Sequence, residues 1–174
     1  MMRKIVKFII DRTIQIECIF FTKKIRQPKS ILIFRKDGFG DYIIFYPFLK
    51  YFRAYYRDYK ISLVIPKIAN GLSPLLKDFD KIIEYDAQQF SNNFFYRRSF
   101  IKNLAKQGYE ISIYPVYSRE NIGDMIIKLT GAVEKIGIKT NNKNSTYTSL
   151  IEIPANIKSE IDINAYFTEQ CTHQ

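Results

Sequence analysis

Ile31-Leu32-Ile33-Phe34-Arg35-Lys36-Asp37-Gly38-Phe39-Gly40-Asp41-Tyr42-Ile43-Ile44 reads as an apolar strand, a short glycine loop and the start of a helix. In parallel α/β domains, the loop at the carboxyl end of the first strand is where chemistry collects. Two glycines allow a tight turn and keep side chains out of a cleft. Asp41 is predicted at or near the helix N-cap, its carboxylate facing the loop mouth. The dinucleotide fingerprint is incomplete, because Ile43 stands where the third glycine belongs. No GK[ST] closes the loop, so it is not a P-loop either.

Strand and helix patterns alternate beyond this segment. Strands are predicted at 30–35, Lys60–Ile65, Lys81–Tyr85, Tyr109–Tyr114 and Lys135–Ile138, with an edge strand at Ser149–Ile153. Helices are predicted at Asp41–Tyr56, around Leu72–Phe79, from Phe94 to Lys106 before Gly108, and at Asn121–Thr130 before Gly131. Pro47 should loosen the first of these, and Pro66 should stop the second strand. Asp86–Asn93 and Thr140–Thr146 read as polar loops, and the chain from Ile157 onward is weakly patterned. Strands spaced by helices predict an α/β fold, a single Rossmann-like lobe built on a parallel sheet. Its expected bounds are 30–156, with an extension at 1–29 and a tail at 157–174.

Composition narrows the chemistry. The chain has 174 residues, 47% hydrophobic and 25% charged, which suits one soluble domain of ordinary size. The single histidine, His173, lies at the end of the chain, which removes Ser-His-Asp and Cys-His catalysis and argues against a histidine zinc site. No metal site is expected. Cys18 and Cys171 read as reduced thiols of a cytoplasmic protein. Any catalysis must rest on carboxylates, lysines, arginines or hydroxyls.

The net charge of +10 is uneven: residues 1–30 hold eight basic against two acidic side chains, leaving +4 for the other 144. The same stretch carries Ile5, Val6, Phe8, Ile9, Ile10, Ile14, Ile16, Ile19, Phe20 and Phe21. Interrupting charges fit neither a spanning helix nor a signal peptide. The stretch is either a basic amphipathic helix on an anionic membrane surface, peripheral to its inner face, or a helix packed on the domain with its lysines outward. Nucleic acid is not expected as a partner, because the aromatic residues fall inside apolar patterns rather than alternating with basic ones.

Over roughly residues 30–140 the chain resembles the N-terminal lobe of the heptosyltransferases, glycosyltransferase family 9. The matching residues are Arg35, Asp37, Gly40 and Asp41, then Pro47-Phe48-Leu49, Tyr109-Glu110, Ser118-Arg119, Thr130-Gly131-Ala132 and Ile136-Gly137. The chain departs from the family at Tyr114-Pro115-Val116-Tyr117, where many members carry Asp-x-x-Gly. The resemblance implies one half of a two-lobe GT-B enzyme. The N-terminal lobe binds a glycolipid or saccharide acceptor, such as a growing lipopolysaccharide core. The other lobe binds the nucleoside-diphosphate sugar. It needs no cofactor beyond that donor substrate.

By position Asp41 would be the base of an inverting displacement, taking the proton from the acceptor hydroxyl; otherwise it caps its helix. Lys36, Asp37, Gly38, Gly40, Ser118 and Arg119 would contact the acceptor. Lys36 and Arg35 either meet acceptor phosphates or remain solvated charges. Asp37 either contacts the acceptor or shapes the loop, and Arg119 either clamps an anion bidentately or flanks a helix. A donor-binding lobe is expected to be missing from these 174 residues, leaving the chain inactive alone unless another polypeptide supplies it. The alternatives are a non-catalytic membrane-surface module that binds lipid or partners, and a single-lobe phosphate binder.

Overall fold

The computed structural model describes residues 16, 27–36, 38–67, 71, 76–140 and 144–173. Apart from Ile16 and 27–29, the basic extension lies outside the described residues, as do Asp37 and much of the helix expected around Leu72–Phe79. Six strands, β1 (Ser30–Phe34), β2 (Lys60–Pro66), β3 (Lys81–Tyr85), β4 (Ile111–Tyr114), β5 (Glu134–Ile138) and β6 (Ser149–Ile151), form one sheet. Its order is β3-β2-β1-β4-β5-β6 and every pairing is parallel. This is the Rossmann strand order.

β1 is central, with Ile31 in register with Ile61 on one side and Ile111 on the other. Both faces of the sheet are covered, which explains the unbroken apolar run of β1. Side chains alternate across the pleat. Ile31 and Ile33 pack with Phe45, Leu49, Phe52, Ile163 and Phe167. Leu32 and Phe34 pack with Ile101, Leu104, Ile126 and Leu129. The first face is covered by α1 (Phe39–Phe45), α2 (Leu49–Tyr55) and α6 (Glu160–Thr172), the second by α4 (Phe94–Gln107) and α5 (Asn121–Leu129).

Pro47 acts as expected: a 3-10 turn, Tyr46–Phe48, separates α1 from α2. β2 does end at Pro66, which is its last residue, in register with Tyr85. The polar stretch after β3 is not a loop. It holds α3 (Ala87–Asn92), whose N-cap Asp86 accepts a hydrogen bond from the backbone N–H of Gln89. Gly108 (φ 62°) ends α4 as predicted.

The weakly patterned tail holds a further helix. Glu160–Thr172 is a helix capped by Ser159, and it buries Ile163, Phe167 and Cys171 against the sheet. Among the described residues no helix is long and apolar enough to cross a membrane.

Candidate functional site

At β1 the chain order reverses: β2 and β3 extend to one side, and β4 returns on the other. The loops leaving the carboxyl ends of β1 and β4 therefore diverge and leave a crevice, the usual ligand position in an open α/β sheet. A hollow of about 320 Å³ lies there. The β1–α1 loop and first turn supply Lys36, Gly38 and Asp41; the end of β4 and the loop after it supply Tyr114, Val116, Tyr117, Ser118 and Glu120. Glu160, from the start of α6, completes the wall.

Gly38 is the N-cap of α1, which places Asp41 third in the helix rather than at the cap. It caps nothing, yet its carboxylate folds back to the loop mouth: a Cβ on Gly38 would stand 3.6 Å from Oδ2. The exposed Asp41 side chain has no hydrogen bond or ion pair among the described residues. An acidic group in the first helical turn suits the helix dipole. The glycines of this loop are not needed for a left-handed turn. Gly38 is extended (φ −63°, ψ 167°), and a Cβ on Gly40 would meet open space. The loop is held from below by Tyr85, whose hydroxyl donates to the Lys36 carbonyl at 2.9 Å.

Two predicted contacts fall elsewhere. The Arg35 side chain is 0% exposed. It donates to Glu160 and to Asn164 Oδ1, each at 3.0 Å, with its guanidinium 4.6 Å above the Phe45 ring. It therefore locks α6 to β1 instead of meeting an acceptor phosphate.

Arg119 does not line the hollow, because its side chain is 1% exposed and committed inward. It donates to Thr140 Oγ1 (2.9 Å) and Asn144 Oδ1 (2.8 Å) and lies 4.4 Å over the Tyr147 ring. Its Nε is 3.7 Å from Asp124 Oδ1, which also accepts from the Tyr147 hydroxyl at 2.6 Å. This cluster fixes the β4–α5 loop, and Ser118 and Glu120 project from that loop into the hollow. Lys36 does reach the hollow, but as the ion-pair partner of Glu120 across the crevice. Asp37 lies outside the described residues.

Sequence reasoning missed Tyr114, Val116, Tyr117, Glu120 and Glu160. The first three stand in the very segment where the chain departs from the resembled family. Glu160 carried no local signal, since only the return of α6 brings it there. Gly123 was not singled out, and Gly137 only as part of the resemblance, yet each makes room for a tyrosine ring. A Cβ at Gly123 would lie 2.3 Å from the ring of Tyr114, and one at Gly137 2.4 Å from that of Tyr147. Gly123→Ala is expected to lower stability by about 1–3 kcal/mol through overpacking. Thermal unfolding would show it; an unchanged midpoint would mean that α5 sits farther from β4 than described.

A second hollow, of about 560 Å³, is lined by Tyr55, Tyr56, Tyr59, Glu134 and His173 among others. It opens beside the first residues of β4, β5 and β6, the end of the sheet away from the switch point. The only histidine of the chain is thus remote from Asp41. Among the described residues no three His, Cys, Asp or Glu side chains gather as a metal site. Compared with protein-family models, curated proteins and solved structures, the chain matches none.

Proposed function

We propose that this lobe is the acceptor side of an inverting sugar transfer, with Asp41 as the general base. The observation that carries the reading is the placement of Asp41. It is a carboxylate at the switch point, facing a hollow and without a partner among the described residues. The other charged residues lining the hollow are paired, Lys36 with Glu120 and Glu160 with Arg35. The resemblance to the heptosyltransferases at Arg35, Asp37, Gly40 and Asp41 supports the same assignment.

A hydroxyl is a weak nucleophile until its proton is removed during attack. In the proposed step the acceptor oxygen bonds to the anomeric carbon of a nucleoside-diphosphate sugar. The bond from that carbon to the diphosphate breaks with inversion, the diphosphate leaves with the electron pair, and the acceptor proton passes to Asp41. A second lobe facing the hollow would hold the diphosphate.

The test is a mass-spectrometric transfer assay with nucleoside-diphosphate sugars and glycan acceptors. The 174-residue chain alone is expected to show no turnover. With a polypeptide supplying the donor lobe, transfer is expected, and Asp41→Asn should lower kcat by about 10²–10⁴-fold, the usual size of a general-base contribution. Full activity of Asp41→Asn would overturn the assignment.

A further inference from the structure

We infer that the hollow selects an uncharged or amine-bearing saccharide and turns away a phosphorylated one, an inference that rests on the acceptor reading above. A site for a phosphate needs cations able to turn toward it, commonly arginine forks or a lysine. Three cations flank this hollow in sequence, and each is committed. Arg35 is 0% exposed and held by Glu160 and Asn164. Arg119 is 1% exposed and held by Thr140, Asn144 and Asp124. Lys36 lines the hollow but is paired with Glu120.

Against these stand three lining carboxylates, Asp41, Glu120 and Glu160. Among the described residues, pairing Glu120 with Lys36 and Glu160 with the buried Arg35 leaves one uncompensated negative charge, on Asp41. A phosphate monoester carries about −1.5 to −2 at neutral pH. To bind, it would have to break the Lys36–Glu120 pair and lie beside Asp41 at short range, where like charges repel strongly. A hydroxyl meets no such barrier and can donate directly to the Asp41 carboxylate. An ammonium group gains attraction there. The hydroxyls of Tyr117 and Ser118 supply neutral hydrogen-bonding groups, and Tyr117 exposes its ring at the rim.

The charge preference is tested on the full chain by amide NMR titration with three matched probes: methyl glucoside, glucosamine and glucose 6-phosphate. Glucosamine is expected to bind at least about tenfold more tightly than glucose 6-phosphate, with shifts centred on Gly38, Tyr117 and Ser118. Glu120→Gln releases Lys36 and should narrow that ratio by improving glucose 6-phosphate binding. Tightest binding by glucose 6-phosphate at these same residues would overturn the charge inference and leave the saccharide site standing. An unchanged ratio in Glu120→Gln would overturn the Lys36–Glu120 pair as the cause of selection. If none of the three sugars perturbs these residues, the acceptor reading falls, and this inference with it.

Discussion

Raising the pH from 9 to 13 is expected to unfold this protein in one step, with tyrosine ionisation and loss of helix occurring together. Burial pushes the hydroxyls of Tyr42, Tyr56 and Tyr147 well above the ordinary tyrosine range, and it pushes Tyr109 up to about 12. In Tyr147 the hydrogen bond to Asp124 adds to the effect of burial. Tyr42 has no hydrogen-bond partner for its buried hydroxyl among the described residues, so its anion would be still less supported.

The folded-state values lie above the unfolded one of 10.0, so the sign is fixed. These groups contribute their full stability below pH 10 and lose it as pH climbs toward the folded values, because the unfolded chain releases the protons first. Each tyrosine then contributes a slope of up to about 1.4 kcal/mol per pH unit, and four together on the order of 5. Against a domain stability of about 5–15 kcal/mol, that places the midpoint at about pH 11 to 13. The buried Cys171 thiol, also raised by burial, acts in the same direction. Circular dichroism and tyrosinate absorbance measured on one sample should coincide. If all tyrosines titrated near the ordinary value while the helices persisted, the core assignment of these four rings would be wrong.

The second large effect is expected at the Arg35–Glu160 pair, and it should be asymmetric. Glu160→Ala takes from a fully buried guanidinium the carboxylate it is paired with, a change that typically costs about 3–5 kcal/mol. Arg35→Met leaves Glu160, whose side chain is 36% exposed and can regain water. The cost then includes the stacking on Phe45 and an unsatisfied Asn164 Oδ1, together about 1–3 kcal/mol. Urea unfolding of the two variants should therefore rank Glu160→Ala as the less stable. The reverse order would show that α6 is not docked through this pair.

The strands were the legible part of the fold. Ser30–Phe34 and Lys60–Pro66 are apolar on both faces because both faces are covered, and their letters say so without knowledge of partners. Two helices were not legible for the same kind of reason. In α3 the Asp86-x-x-Gln89 cap is a start signal, but six mostly polar residues offered no period to follow it. In α6 the buried stripe includes Asn164, Thr168 and Thr172, which read as surface residues. Their burial is possible because Thr168 and Thr172 return their hydroxyls to the carbonyls four residues back. No apolar pattern records that arrangement.

The same limit divides the site. Asp41 follows a strand and a glycine loop, so its neighbourhood is written locally. The arginines are different, because a charge declares itself in sequence while its partner does not. Arg35 meets Glu160, 125 residues onward, and Arg119 meets Thr140 and Asn144 beyond the next strand. Both were nominated for ligand, and both belong to the scaffold that shapes the hollow. Glycine was misread in parallel: Gly38 and Gly40 drew attention for their loop, whereas Gly123 and Gly137 are the ones with no room for a side chain.

The most direct measurement is a crystal structure of the full chain with a hydroxyl-rich saccharide bound. A sugar hydroxyl within about 3 Å of an Asp41 carboxylate oxygen, with the ring lying between Tyr117 and the β1–α1 loop, is the predicted result. A saccharide seated elsewhere, or an Asp41 side chain turned back onto the amides of its own helix with the hollow empty, would contradict it.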